Sequence, residues 1–355
     1  MKMEREDRLA GSESAAIVEA ESVPESSVEP SCAAVHPAFP AYRAPKWLPG
    51  GHAQTIYPLL IRPPAPAYRR ERWETPDGDF IDLDWLDAQA HSPLLVLFHG
   101  LEGSSASHYA RALMHAVEAQ RWTGVVVHFR GCSGEANRLP RAYHSGDSAE
   151  LDWVLHRLRA RFPRRAIFAA GVSLGGNALL KWLGEREGGA GDAIGAAAAV
   201  SAPVDLAACG HHLGRGFNRV YTARFLETLK RNAAEKLARF PGSFDGRRMA
   251  VARNLYQFDD AVTAPLHGFL GADDYWRRAS AKPLLPGIRV PTLLLNAQND
   301  PFMPAQALPR ADEVSAAVIR EFPTEGGHVG FVTGSLPGRL DWLPQRLLHF
   351  FVQGA

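Results

Sequence analysis

The feature that most constrains this chain is an alternation. Short, wholly apolar runs recur between longer segments of helical composition. Leu94-Leu-Val-Leu-Phe98 is followed by a helical stretch at about 107–120, and Gly124-Val-Val-Val-His-Phe129 by another at 147–161. Ala166-Ile-Phe-Ala-Ala-Gly-Val172 leads into a third helix starting just after Ser173, and Ala193 to Val200 is a further apolar run. Runs of this length and uniformity are those of strands buried on both faces. Parallel strands need a crossover of a dozen or more residues, usually helical, and the helical stretches supply it. The expected fold class is therefore α/β, with a mostly parallel central sheet and helices on both faces.

The flanks complete that plan. Pro76-Asp-Gly78 is a turn signal between two β-rich stretches, which predicts a hairpin over Tyr68 to Trp85. The strand signal lapses from about 206 to 286 and resumes at Pro291-Thr-Leu-Leu-Leu295 and Ala316-Ala-Val-Ile-Arg-Glu-Phe322, before a last helix near 340–352. The lapse, with helix-like runs at 220–240 and 249–258, reads as a helical lid inserted between two sheet strands. Phe217, Tyr221, Phe225, Leu226 and Leu229 lie in it; they either wall an apolar pocket or pack the lid onto the body, and for most of them packing is the expected role. Residues 1–40 carry eight acids between Glu4 and Glu29 against Lys2, Arg5 and Arg8, with no aromatic before Phe39. Such a stretch buries too little apolar surface to offset its ordering entropy, so it is read as a disordered acidic tail ahead of one domain at 41–355. Trp47 to Tyr57, broken by Pro and Gly, is expected to dock on that domain without forming a long element.

Chemistry is concentrated at three turns. Gly171-Val-Ser-Leu-Gly175 is G-x-S-x-G set between a strand and a helix, the context in which the motif has physical meaning. A sharp strand-to-helix turn strains the serine, lifts its hydroxyl above the sheet and brings a helix start beside it. A serine hydroxyl needs a base to become a nucleophile. His328, in Glu325-Gly-Gly-His-Val-Gly330 after the last strand, stands where that base belongs. Asp300, directly after the Leu293 to Leu295 run, is the acid expected to orient the imidazole; Asp205, after the preceding strand, competes for that role. The order Ser173, Asp300, His328 is the one this architecture uses. The oxyanion donors are expected to be the backbone N–H groups of Leu174 and of Leu101 in His99-Gly-Leu-Glu-Gly103, with His99 propping that loop. Arg130 or Glu135 is read as pairing internally near the site, Asp147 as standing near a helix start, and Cys132 as no nucleophile.

Other classes are disfavoured. The chain has 39 Lys and Arg against 38 Asp and Glu, so no broad positive field points to nucleic acid. Cys32, Cys132 and Cys209 are too few and scattered for a disulfide framework or a zinc site, which suits reduced thiols and a cytoplasmic location. No basic stretch with an apolar run marks a secretory signal, and no apolar stretch approaches the ~20 residues of a membrane span.

Taken together these motifs resemble the YheT-like branch of the α/β-hydrolases, which includes bacterial YheT-type proteins, plant embryogenesis-associated relatives and animal abhydrolase-domain lipases. The residues that carry the resemblance are Gly51-His-Ala-Gln-Thr55, His99 to Gly103, His128-Phe-Arg-Gly-Cys-Ser-Gly-Glu135, Asn137-Arg138, Tyr143 and Gly146-Asp147. Gly171 to Asn177, Asp274-Tyr275, Asp300-Pro-Phe302 and Gly326 to Gly330 complete them. The family's acid loop often carries two adjacent aspartates, and here the first is Asn299. The resemblance implies the α/β-hydrolase fold and a serine esterase or lipase acting on small-molecule or lipid acyl esters through an acyl-enzyme, with no metal or organic cofactor. A thioesterase or acyltransferase using the same three residues is the alternative, and a non-catalytic binding protein on the same fold is a further one.

Overall fold

A computed structural model describes residues 39–89 and 91–353. A short helix, α1 (Gly51–Ile56), precedes a hairpin of β1 (Arg69–Glu74) and β2 (Phe80–Leu86). The alternating body follows as β3 (Leu94–Phe98), α2 (His108–Ala119), β4 (Thr123–Val127), α3 (Ser148–Arg161), β5 (Ile167–Val172), α4 (Leu174–Arg186) and β6 (Ala196–Val200). Six helices then intervene: α5 (Leu206–Leu213), α6 (Arg219–Arg239), α7 (Gly246–Val251), α8 (Leu255–Phe258), α9 (Ala264–His267) and α10 (Ala272–Ala279). The chain returns to the sheet with β7 (Thr292–Leu295) and β8 (Val318–Glu321) and ends on α11 (Trp342–Gln353).

The eight strands form one sheet in the order β1-β2-β4-β3-β5-β6-β7-β8. β1 pairs antiparallel with β2, and β2 with β4; every other neighbour is parallel. Every residue of β3, β5 and β6 is buried, as their unbroken apolar composition requires. β2 is buried throughout although it carries Asp82 and Asp84. Hairpin register sets Arg72 opposite Asp82 and Arg70 opposite Asp84, and each guanidinium grips its carboxylate with two hydrogen bonds of 2.7–2.9 Å. Pairing with charge is what lets an alternating strand sink its polar face.

Parallel strands deliver all their C-terminal ends to one rim. Ligand sites in open α/β sheets form outside that rim, where the order reverses and the loops part. Here β3 lies between β4 and β5, so the loops after β3 and β5 face each other.

One segment differs from the sequence reading. The helical run at 249–258 is split: Asn254 accepts the Gln257 N–H and starts α8 afresh, while Arg253 N–H is taken by the Gln257 side chain. A side chain that satisfies backbone donors locally competes with helix continuation. The docked segment at 47–57 forms no long element, only the six-residue α1, and Gly51 sits so close to the Asn299 carbonyl that a Cβ there would lie 1.9 Å from its oxygen. Of the expected tail, residues 1–38 lie outside the described residues. Its last two residues, Phe39 and Pro40, pack on α11, with the Trp342 indole N–H donating to the Pro40 carbonyl.

Candidate active site

Ser173 stands between β5 and α4 at φ 53° and ψ −119°. A non-glycine residue rarely adopts positive φ, and the strain is held by the surroundings. Its N–H donates to the Val200 carbonyl at 2.8 Å, locking the turn to the neighbouring strand. Gly175 makes the turn possible, because a Cβ there would stand 2.5 Å from the carbonyl oxygens of both Phe98 and His99. α4 can therefore press its first turn against the end of β3, and only glycine permits that distance.

Ser173 Oγ lies 3.1 Å from His328 Nε2, and His328 Nδ1 lies 2.8 Å from Asp300 Oδ2. The Asp300 carboxylate can only accept, so Nδ1–H donates to it and Nε2 is left to accept the serine proton. The Asp300 side chain is buried, and its other oxygen accepts the Phe302 N–H at 2.8 Å. The Phe302 ring stacks on the imidazole with centroids 4.0 Å apart. The ring is thus held by a hydrogen bond at one edge and by an aromatic face. Asp205, the competing acid, takes no part: it caps α5, accepting the Ala208 N–H at 3.0 Å.

The His328 loop hangs from residues that sequence motifs did not assign a task. Gln54 Oε1 accepts the Gly326 N–H, Asn299 Oδ1 accepts the Gly327 N–H, Thr55 Oγ1 accepts the His328 N–H and Ser201 Oγ accepts the Val329 N–H, all at 2.9–3.1 Å. Asn299 also donates to Gln54 Oε1. The asparagine that replaces the first of two aspartates is therefore a strut of the base loop and has a donor that an aspartate would lack. The only signal available in sequence was the Gly51-His-Ala-Gln-Thr55 motif itself.

The loop after β3 is anchored from below. Gly100 N–H donates to the Tyr109 hydroxyl at 2.8 Å, Glu102 N–H to the Tyr143 hydroxyl at 2.8 Å, and Gly103 N–H to the Gly100 carbonyl. Between them, the Leu101 N–H has no partner among the described residues. Leu174 is the first residue of α4, whose leading N–H groups have no intrahelical acceptor. His99 props this loop: Nδ1–H donates to the Gly100 carbonyl and Nε2 accepts the Phe129 N–H at 3.1 Å, while complete burial pushes its pKa down to about 3. It is a neutral bracket.

The remaining candidates are structural. Arg130 bonds Glu150, Asp77 and Asp79, Glu135 pairs with Arg72, and Asp147 stands at the start of α3, bound to Arg141. Burial pushes the Cys132 thiol far up, which leaves it protonated and inert. Among the described residues no cluster of His, Cys, Asp or Glu has the arrangement of a metal site.

Two cavities of about 550 Å³ each meet at Ser173 and His328. One opens between α1, α2 and the start of α6, past Leu59, Tyr109, Tyr221 and Phe225. The other runs under the helices between β6 and β7, past Leu213, Leu229, Leu255, Phe258 and Trp276. Of the five lid residues singled out in sequence, Tyr221, Phe225 and Leu229 line these spaces. Leu226 is buried in a core of the helical segment's own, and Phe217 is exposed against His52.

The sheet order, the strained serine turn and the histidine loop are those of one family, and its sequence profile, described as the alpha/beta hydrolase fold, matches residues 93–335. This chain belongs to the α/β-hydrolase family. Within it the chain falls in the YheT-like branch. It is 44% identical over 304 residues to YheT of Escherichia coli (strain K12), which bears an esterase name, covering 83% of this chain and 88% of that one. It is 30% identical over 318 residues to human phospholipase ABHD3, covering 86% of this α/β-hydrolase and 77% of the relative. Among solved structures, the Pyrococcus furiosus esterase Pf2001 superposes with a TM-score of 0.52 at 16% identity, over 81% of this chain and 92% of that one, a likeness of fold.

Proposed function

We propose that this α/β-hydrolase cleaves carboxylic acyl esters through an acyl-enzyme on Ser173. The observation that carries the reading is the continuous chain Ser173 Oγ, His328 Nε2, His328 Nδ1, Asp300 Oδ2, at 3.1 and 2.8 Å, beside the unpartnered Leu101 N–H. In the first half-reaction the Ser173 oxygen attacks the acyl carbon while His328 takes the serine proton. Asp300 stabilises the imidazolium without being protonated. The carbonyl oxygen becomes an oxyanion received by the N–H groups of Leu101 and Leu174, each such donor being worth about 10²–10³ in rate. Collapse expels the alcohol, which leaves with the proton from His328. Water, deprotonated by the same histidine, then releases the acid. The helices between β6 and β7 serve as the cap, the cavity beneath them receives the acyl chain, and medium-chain esters are the first substrates to try. The names of YheT and ABHD3 agree with ester cleavage. Among the described residues the thiols of Cys132 and Cys209 are free, which suits a cytoplasmic setting.

Fluorophosphonate labelling of the purified protein, beside hydrolysis of p-nitrophenyl esters of two to twelve carbons, tests this. Labelling and turnover that both disappear in Ser173→Ala support it; labelling that survives in that variant sinks it. A thioesterase would prefer acyl thioesters of the same chain, and an acyltransferase would partition the acyl group to an added alcohol over water.

A further inference from the structure

Glu102 is the one carboxylate in the loop that carries the Leu101 N–H, and its side chain is turned inward onto two other side chains. Its backbone sits at φ 53°, a conformation that favours glycine, so something outside the residue holds it there. The Tyr143 hydroxyl, by accepting the Glu102 N–H and donating to Glu102 Oε1 at 2.7 Å, closes a ring on that residue. Its other oxygen, Oε2, accepts from Asn232 Nδ2 at 2.7 Å, and Asn232 belongs to α6 of the helical segment between β6 and β7. Arg231, next to it, is close enough to act on the carboxylate through charge. Glu102 lines both cavities at the point where they meet Ser173. Tyr109 holds the other side of Leu101 through Gly100, but Tyr109 belongs to α2 of the body. One anchor of the Leu101 amide therefore rests on the body alone, and the other extends to α6, directly through the Asn232–Glu102 hydrogen bond and, on the segment that leads into Tyr143, through Lys236, which donates to Asn137 Oδ1 and to the Leu139 and Arg141 carbonyls.

We infer that Glu102 is a positioning residue that couples α6 to the Leu101 N–H, so that the donor is correctly aimed only while Asn232 is in contact. The inference rests on the Ser173 reading above. Seating of α6 over a substrate would complete the oxyanion site and displacement of α6 would loosen it. Occupancy of the cap is thereby expressed in the rate of acyl transfer as well as in binding.

The test uses the full-length protein and a short ester, p-nitrophenyl acetate, which is too small to need the acyl cavity. Glu102→Gln and Asn232→Asp are made singly and together. In Glu102→Gln the new amide faces Asn232 with a donor against a donor in one of its two orientations, and Asn232→Asp sets two carboxylates against each other. The double variant restores one donor and one acceptor with the charge moved across the contact. The expected result is a fall of about tenfold in kcat for each single variant with KM within twofold, a parallel fall in the fluorophosphonate labelling rate, and recovery to within about threefold in the double variant. In Asn232→Asp the activity relative to wild type should rise as pH falls from about 8 to about 6, because the carboxylate pair then shares a proton. Thermal melting of each variant, and Asn232→Ala, which leaves the loop itself unaltered, separate this from failure to fold. Single variants that fold and keep kcat and labelling within twofold of wild type would overturn the coupling, as would a double variant no better than its worse parent. Loss of labelling in wild type itself would instead strike at the Ser173 reading.

Discussion

The body and the helical segment between β6 and β7 are built on different principles. In the body, β3, β5 and β6 are buried from end to end, and the backbone N–H groups that hold the His328 loop each have a buried or half-buried acceptor. In the inserted segment, α6 is 21 residues long and buries only Thr222, Leu226 and Ala233, packing on a small core of its own with Phe244, Met249 and Phe258. It reaches the site only through side chains, chiefly Tyr221, Phe225, Leu229 and Asn232. A rigid frame can hold reacting atoms to a fraction of an ångström, whereas α6 is joined to the body chiefly by polar side chains, Lys236 and Arg239 on the 137–141 segment and Asn232 on Glu102. The lesson is a contrast in construction: the body frames Ser173, His328 and Asp300, and the inserted helices border the cavities that lead to them.

Substitutions in the two regions should therefore fail differently. The largest effect belongs to the body. Ser173→Ala and His328→Gln should each lower kcat by about 10⁴-fold or more on every ester tried, with the melting temperature held within about 2 °C. Asp300→Asn should cost about 10³–10⁴ in kcat, while Asp205→Asn, which touches only the α5 cap, should stay within about threefold; stopped assays on both variants decide which acid serves His328. Gln54→Ala removes the acceptor of the Gly326 N–H and the partner of Asn299. It should cost about 2 kcal/mol of stability in urea melts and about tenfold in kcat. The inserted helices should show a different signature. Leu229→Trp fills part of the cavity beneath them, so it should lower kcat/KM for octanoate relative to acetate by about tenfold and leave the acetate rate nearly unchanged. Equal losses on both esters would erase the proposed division.

The smallest effect is electrostatic, and its sign differs between the regions. Asp259, in the inserted segment, accepts hydrogen bonds from Thr263 and Trp276, yet loss of hydration pushes its pKa up to about 6. Its folded value lies above the unfolded value of about 3.9, so the folded form binds the proton more tightly between those limits. Stability of that segment should then grow as pH falls from above about 6 to about 4, by a few kcal/mol at most. In the hairpin, Asp84 is opposed by burial but is held well below the usual carboxylate range by hydrogen bonds from Arg70, His128 and Ser105. Its contribution is present above about pH 4 and is lost as pH falls further. Hydrogen exchange at about pH 7, 5 and 3.5 should show α10 gaining protection at the middle value while β2 is unchanged, and β2 losing it at the lowest. A common trend in both would show that the two regions titrate as one.

Much of this was legible in the chain. The strands β3, β5 and β6 announce themselves as unbroken apolar runs, because a polar side chain buried there without a partner would be costly, and the G-x-S-x-G turn is visible because only glycine tolerates the approach of Gly175 to the Phe98 and His99 carbonyls. The break between α7 and α8 was not legible, since a cap formed by Asn254 looks like any other polar residue in a helical run. Gln54 and Thr55 stood out only as part of a motif and Asn299 only as an altered acid loop; the task of each was equally hidden. Their partners lie far along the chain, 271–273 residues away for the bonds from Gln54 and Thr55 to Glu325, Gly326 and His328, and a side-chain amide carries no local pattern.

By itself the sequence determined the fold class and the order of the sheet-forming segments, and it singled out Ser173 and His328 with two competing acids, because periodicity and turn chemistry are local and survive in one dimension. The tertiary structure alone decided that Asp300 and not Asp205 faces His328, that Asn299 braces the base loop, and that α6 touches the Leu101 loop through Asn232. Those are contacts between residues remote in sequence, chosen by strand order and by the packing of whole elements, and no spacing along the chain encodes them.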